Sequence, residues 1–319
     1  MRYRSLSTYF RERYKGQVRK IPLDAGFSCP NRDGAISRGG CVFCDARGSG
    51  AGLAAPGASL PEQWNALYPR FARKYPKTLF FAYLQAFSNT YGPAGKLRRV
   101  IDVIAALDGA AGLCLGTRPD CLDEEKCDIL AGAPFREVRL ELGLQTSNDE
   151  TLRRINRGHD AAAFARAARM AAAKGLSVTA HLMAGLPGED GEDFLRSVAF
   201  VAALPVAAVK FHNTIVTRGC PLASLYRNGG FVPLAREDYI DLLCRAIPLL
   251  RPDMTLERLN ADPAPGELLA PDWAGDKSVF LRELAQALER RDVRQGTAFR
   301  PRVAPLKGED AVSKDNALY

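Results

Sequence analysis

Between residues 78 and 216 the chain alternates short apolar runs with amphipathic segments, and this rhythm restricts its fold more than any other feature. "TLFFAYLQAF" (78–87) reads as a buried strand, and "GKLRRVIDVIAAL" (95–107) as a helix with Leu97, Ile101, Ile104 and Leu107 on one face. "GLCLGT" (112–117) is a strand, followed by "DEEKCDILAG", a helix with acidic residues in its first turn. "EVRLELGLQ" (137–145) is a strand, and the Ala-rich "DAAAFARAARMAAAKG" (160–175) is a helix closed by a C-cap glycine. "LSVTAHLMAGLPGE" (176–189) runs from strand into turn, "EDFLRSVAFVAAL" (192–204) is a helix, and "AAVKFHNTIV" (207–216) is another strand.

Strands and helices in this order build βα units around a parallel sheet. With "RKIPLDAGF" (19–27) as a first strand there are six units, which predicts an α/β fold: a partial, TIM-like (β/α)6 barrel with helical N- and C-terminal extensions. The expected organisation is a basic extension over 1–20, the barrel over 21–235, a helical extension over 236–299 and a mobile tail over 300–319. Helices are expected at 236–250 and 276–291, and "DARGSGAGLAAPGAS" (45–59) reads as loop.

Composition narrows the function classes. Hydrophobic residues make up 47% and charged residues 25% of the 319, the balance of a soluble globular protein. No apolar run approaches the roughly 20 residues that span a bilayer, so no membrane partner is expected. The first twenty residues lack the apolar region of a secretory signal. Eight cysteines without such a signal predict a reducing, cytoplasmic setting, where thiols are metal ligands, catalysts or core residues. The net charge is +8, and residues 1–20 hold seven basic side chains (Arg2, Arg4, Arg11, Arg13, Lys15, Arg19, Lys20) against Glu12 alone. A patch of that kind predicts a polyanionic partner such as RNA; its plain alternative is a solvated helix face.

In a parallel βα barrel the reactive groups collect on the loops after the strands. Three cysteines, Cys29, Cys41 and Cys44, occupy the loop after the first strand in a C-x11-C-x2-C spacing. Structural zinc needs a fourth Cys or His, and none lies nearby in sequence. A four-iron cluster held by three thiolates leaves one iron free for a ligand from outside the protein.

The cysteine loop and the motifs around it carry a family resemblance. "LDAGFSCPNRDG", "GGCVFC", "QAFSNTYGP", "GTRPDCL", "ELGLQTSND", "RINRGHD", "HLMAGLPGE" and "KFHNTIV" run in register from about residue 15 to 230. Together they resemble the radical S-adenosylmethionine (SAM) enzymes, in the YhcC/YtqA-like branch, and are similar to the radical SAM domain of the elongator catalytic subunit. The usual spacing there is C-x3-C-x2-C, so the gap from Cys29 to Cys41 is a departure. The resemblance implies a [4Fe-4S] cluster on Cys29, Cys41 and Cys44, S-adenosyl-L-methionine as cosubstrate, and an electron donor such as flavodoxin or ferredoxin. It implies that Glu141 bonds the ribose of SAM and that Arg157 binds its carboxylate. Gln85, Ser88 and Asn89 are implied near its amino group, with Met183 and Gly185 also in its site. The plain alternative for Glu141 is a buried ion pair, for instance with Arg118. His181, His212, Cys121 and Cys220 are the candidates for direct work on the substrate, whereas Cys114, Cys127 and Cys244 sit in apolar periodic segments and read as core.

For the substrate, the resemblance to the elongator subunit, which acts on C5 of a wobble uridine, points to tRNA. About 90 residues follow residue 230, too few for that protein's acetyltransferase domain. A small-molecule substrate is the second reading, and a non-catalytic RNA-binding protein with a structural metal loop is a third.

Overall fold

The computed structural model describes residues 1–48 and 57–301. The expectation of a mobile tail therefore falls almost wholly outside the described residues, as does the middle of the 45–59 loop. Helix α1 (Leu6–Tyr14) leads into β1 (Gln17–Leu23), and after the cysteine loop come α2 (Leu60–Lys74) and β2 (Thr78–Leu84). Next are α3 (Ala94–Ala105), β3 (Ala110–Thr117), α4 (Glu124–Ala131), β4 (Val138–Gln145), α5 (Asp149–Arg154) and α6 (Ala161–Ala173). Then follow β5 (Ser177–Ala184), α7 (Gly191–Ala202), β6 (Ala208–Asn213), β7 (Val216–Thr217), α8 (Leu222–Arg227) and α9 (Arg236–Ala246). The described chain closes with β8 (Thr255–Arg258), β9 (Leu268–Ala270) and α10 (Lys277–Arg290).

The main sheet is parallel and curls as a half-barrel in the order β1-β2-β3-β4-β5-β6-β8. It has seven strands where the sequence pattern predicts six, because the segment after residue 235 returns β8 to pair with β6. That segment is therefore helical only in part. β7 and β9 form a separate antiparallel ribbon.

Strand parity decides what faces where. Along β4, Leu140, Leu142 and Leu144 pack outward in the core under the helices, so Arg139, Glu141 and Gly143 face the barrel interior. The same alternation puts Lys20, Tyr83, Cys114, Thr179, His181, Lys210 and His212 on the inner face. Buried parallel strands are ordinarily apolar throughout; here the helix side is apolar, and the interior is polar above an apolar floor at Phe81 and Cys114.

Helix α1 closes the N-terminal end of this interior. Phe10 packs edge-on against Phe81 at 5.8 Å, with Cys114 in the same buried cluster. Tyr9 and Tyr14 donate to Glu137 at the base of β4, at 2.9 and 2.7 Å. Much of the N-terminal basic charge is thereby spent internally. Arg2 pairs with Glu289 and Asp292, Arg4 with Glu12, and Arg13 with Glu137, while Lys20 points into the barrel. The expected seven-residue patch does not exist as one free surface.

Candidate active site

The loops at the C-terminal ends of the strands enclose a cavity of about 320 Å³. Cys29, Cys41 and Cys44 line it together with Gln85, Arg157 and Met183, and Tyr83, Glu141, His181 and His212 contribute its deeper part.

The long gap between the first two cysteines is a self-closed excursion. The amide of Gly40 donates to the Asn31 carbonyl at 2.8 Å, and the Ile36 amide to the Pro30 carbonyl at 2.8 Å. Asn156, at φ 54°, clamps the loop from "RINRGHD": its Nδ2 donates to Ser37 Oγ at 3.0 Å and to the Gly40 carbonyl at 2.7 Å. Asn31 is fully buried and returns the favour, donating to the Asn156 carbonyl at 2.6 Å. Gly158 (φ +73°) sits where a Cβ would lie 2.6 Å from Asn31 Oδ1. The motif after β4 thus holds the cysteine loop in place.

Cys41 is the buried member of the three. Its sulfur accepts from Asn31 Nδ2 at 3.6 Å and from Arg157 Nη1 at 3.5 Å. Arg157 Nη2 donates to the Gly143 carbonyl at 2.6 Å, and a Cβ at Gly143 would stand 2.5 Å from that nitrogen. Both terminal nitrogens are therefore engaged, and Nε is buried with no partner. Arg118 forms a two-pronged pair with Asp120 (3.0 and 2.8 Å), its Nη1 buried and unpartnered at the cavity. The alternative expectation of a Glu141–Arg118 pair is thus corrected: the two are held by different partners.

Glu141 has no exposed side-chain surface and is surrounded by donors. Lys20 Nζ reaches it at 2.8 Å, Tyr83 OH at 2.7 Å and His181 Nε2 at 3.0 Å, and Lys210 Nζ closes the fourth contact. Burial favours the neutral acid, but Lys20, Lys210 and His181 outweigh it and hold the carboxyl well below the usual range. Glu257 on β8 is a second buried carboxylate, bonded to Lys20 at 3.1 Å, Thr179 at 2.9 Å and Arg139. Burial drives the Lys210 ammonium down to about 8 despite both carboxylates. His181 and His212 stack at 5.2 Å over this network, and burial keeps both imidazoles below their ordinary value. His212 Nε2 is buried without a partner.

Other expected residues lie behind the cavity wall. Ser88 Oγ and Thr117 Oγ1 share a hydrogen bond of 2.8 Å, and Asn89 Nδ2 donates to the Gly116 carbonyl at 2.9 Å, so both tie the β2 loop to β3. Gly185, at φ +72°, lets Leu234 pack where a Cβ would stand at 2.7 Å. Cys121 is buried, and burial pushes its thiol up to about 11; Cys220 is buried beside Val216 and donates to the Thr217 carbonyl at 3.1 Å. None of these five lines the cavity. Cys114, Cys127 and Cys244 are buried in apolar clusters, as expected. Sequence reasoning missed Gln145, which lines the cavity at the end of β4 with φ 80°. A non-glycine residue held in that region is a mark of functional sites.

The sequence profile described as Radical SAM superfamily matches residues 33–201, and that described as Radical_SAM C-terminal domain matches residues 206–290. The chain belongs to the radical SAM superfamily. It is 34% identical over 299 residues to the uncharacterized protein YtqA of Bacillus subtilis, covering 93% of each chain. It is 36% identical to protein YhcC of Escherichia coli over 92% of this chain and 95% of that one. Elongator complex protein 3 of Bos taurus is 31% identical over 200 residues, 59% of this chain but 35% of its own length. The archaeal Methanocaldococcus infernus Elp3 shares the fold, with a TM-score of 0.65 at 18% identity, over 88% of this chain and 64% of that one.

The family implies a [4Fe-4S] cluster and SAM, and the donor set fits the cluster. Among the described residues no three His, Cys, Asp or Glu side chains are placed to hold one metal ion. The three thiols instead stand around a shared cavity, with N–H donors already directed at Cys41 Sγ. Thiolates spread around a space suit a multi-iron cluster better than a single zinc ion, which draws its ligands to about 2.3 Å.

Proposed function

We propose that this radical SAM enzyme modifies RNA, with C5 of a tRNA wobble uridine as its target. Three cysteines lining one cavity carry the radical SAM part. The 31% identity to Elongator complex protein 3 supports the RNA part. When bound, the cluster and SAM supply one-electron cleavage of SAM to a 5′-deoxyadenosyl radical, which abstracts hydrogen from the substrate. A small acidic redox protein of the flavodoxin or ferredoxin class serves as electron donor, in the cytoplasm.

The protein's own contributions follow from the geometry. Cys29, Cys41 and Cys44 would hold the cluster. Arg157 and Asn31 direct N–H groups at Cys41 Sγ, and such bonds withdraw electron density from a ligating sulfur. Gln85, Gln145 and Met183 would border SAM. Glu141, enclosed by four donors, serves as the buttress beneath the site rather than as a ribose ligand. His181 and His212 face the remaining space as neutral imidazoles, suited to orienting a hydrogen-bonding substrate.

The test has two stages. The chain is reconstituted with iron and sulfide anaerobically, reduced with dithionite and given SAM, and 5′-deoxyadenosine is measured. No product from protein with an intact four-iron cluster would sink the reading. Nucleosides of tRNA from deletion and parent cells are then compared by mass spectrometry, and an unchanged profile removes tRNA as substrate.

A further inference from the structure

Six exposed cations gather at the end of the half-barrel opposite the cysteine loop. Arg11 and Lys15 come from the last turn and C-cap of α1, Arg19 from the edge strand β1, and Arg73, Lys74 and Lys77 from the end of α2 and the turn after it. Their proximity is visible in the register. Gln17 pairs with Thr78, so Lys15 and Lys77 precede neighbouring strand starts. Arg19 lies over the Tyr75 ring at 3.5 Å, and Lys74 approaches the same ring at 5.3 Å.

These six differ from the N-terminal cations that the fold consumes. Glu12 is taken by Arg4 at 2.7 Å, and Asp102 and Asp108 on the neighbouring α3 side make no ion pair with any of the six. Like charges repel, so an unpaired group costs stability unless a counter-charge arrives from outside. The group is spread over three elements and exposed, which fits a row of phosphates better than one small anion. A membrane surface is disfavoured because the exposed large apolar residues (Met1, Ile36, Val103, Leu225, Val232) lie outside the group. An electron donor is disfavoured by distance: seven-residue strands at about 3.3 Å per residue separate this rim from the cysteine loop.

We propose that this rim, built from α1, the β1 edge and the end of α2, grips the phosphate backbone of the RNA substrate. The proposal rests on the RNA reading above and adds where the polyanion is held.

The experiment measures binding of bulk tRNA to the reconstituted full chain by fluorescence anisotropy across a salt series. Two triple variants are compared: Arg73→Gln/Lys74→Gln/Lys77→Gln on the rim, and Arg166→Gln/Arg169→Gln/Arg282→Gln, exposed cations elsewhere. Each phosphate contact contributes roughly 0.7–0.9 to the slope of log K against log salt. The rim triple is expected to flatten the slope by about 2–3 and to weaken binding, with the control triple unchanged. SAM cleavage without RNA stays at the wild-type rate in both, because none of these side chains lines the cavity. Equal losses in the two triples, or a rim triple that binds as wild type does, overturn the proposal while leaving the RNA reading intact. Equal salt-sensitive binding to phosphatidylserine vesicles overturns it in favour of a lipid surface. A wild-type chain without salt-sensitive tRNA binding removes the RNA reading itself, and the rim with it.

Discussion

Replacing Glu141 with Gln tests whether the carboxylate beneath the cavity is a buttress. The amide is nearly isosteric, so packing is kept while the negative charge is lost and an NH2 group faces cations. Lys20 keeps Glu257 at 3.1 Å, but Lys210 is left with Glu257 at 3.8 Å as its nearest anion. Breaking a buried ion pair by removing one partner costs about 3–5 kcal/mol. At about 2.1 cal/mol/K per residue, a chain of this size has a melting entropy near 0.7 kcal/mol/K, so the expected fall in Tm is about 4–7 °C. A thermal melt of the apo chain followed by circular dichroism reads the Tm, and urea denaturation reads the free energy. Removing Lys210 as well, in Glu141→Gln/Lys210→Met, should recover part of the loss, with a coupling of about 0.5–3 kcal/mol. The pH dependence has a fixed sign. The folded-state carboxyl titrates well below its ordinary value near 4.5, so its contribution is complete above that pH and disappears as pH falls through the depressed value. The gap between wild type and Glu141→Gln should therefore be full at pH 7 and close in acid. Stability within about 0.5 kcal/mol of wild type, combined with weakened SAM binding, would refute the reasoning and return Glu141 to the ribose of SAM.

Glu189 gives an opposite pH signature: burial pushes its carboxyl up to about 7, although Thr146 donates to it at 2.6 Å. Its neutral form stabilises the fold below about pH 4.5, and that contribution is lost as pH rises through 7. Glu189→Gln should match wild type at pH 5 and exceed it at pH 8 by no more than about 2 kcal/mol, after allowance for partial exposure; denaturation at the two pH values checks it, and no change with pH would contradict it. Phe10→Ala should cost about 3–5 kcal/mol by opening the plug against Phe81, with faster proteolysis at the N-terminus; a loss under 1 kcal/mol would mean that α1 is not part of the core.

Long, periodic elements were legible in the chain. β2 to β6 and helices α3, α4, α6, α7, α9 and α10 follow from apolar spacing alone. α2 was missed by the sequence reading, although Ser59 and Glu62 form a capping box in "SLPE", a local signal that precedes its apolar face. β8, at four residues, and the two- and three-residue strands β7 and β9 carry too few positions for a period to show. Only pairing partners supplied from elsewhere in the chain make them strands.

The site divides along the same line. Three thiols on one loop, and no fourth Cys or His beside them in sequence, are local facts of the chain. The alternation in "RLELGLQ", with Arg139 and Glu141 on one side and the leucines on the other, is written in the chain, but the sequence reading took the segment only as a strand. Their partners were beyond reach, because Lys20 stands 121 residues from Glu141 and 237 from Glu257. Likewise the N-terminal charge looked like one patch until α1 folded under the barrel and spent Arg2, Arg4 and Arg13 on carboxylates. Periodicity and spacing act over a few residues and are written in the chain. Burial and charge pairing depend on which distant segments meet, and curling the sheet was what brought those segments together.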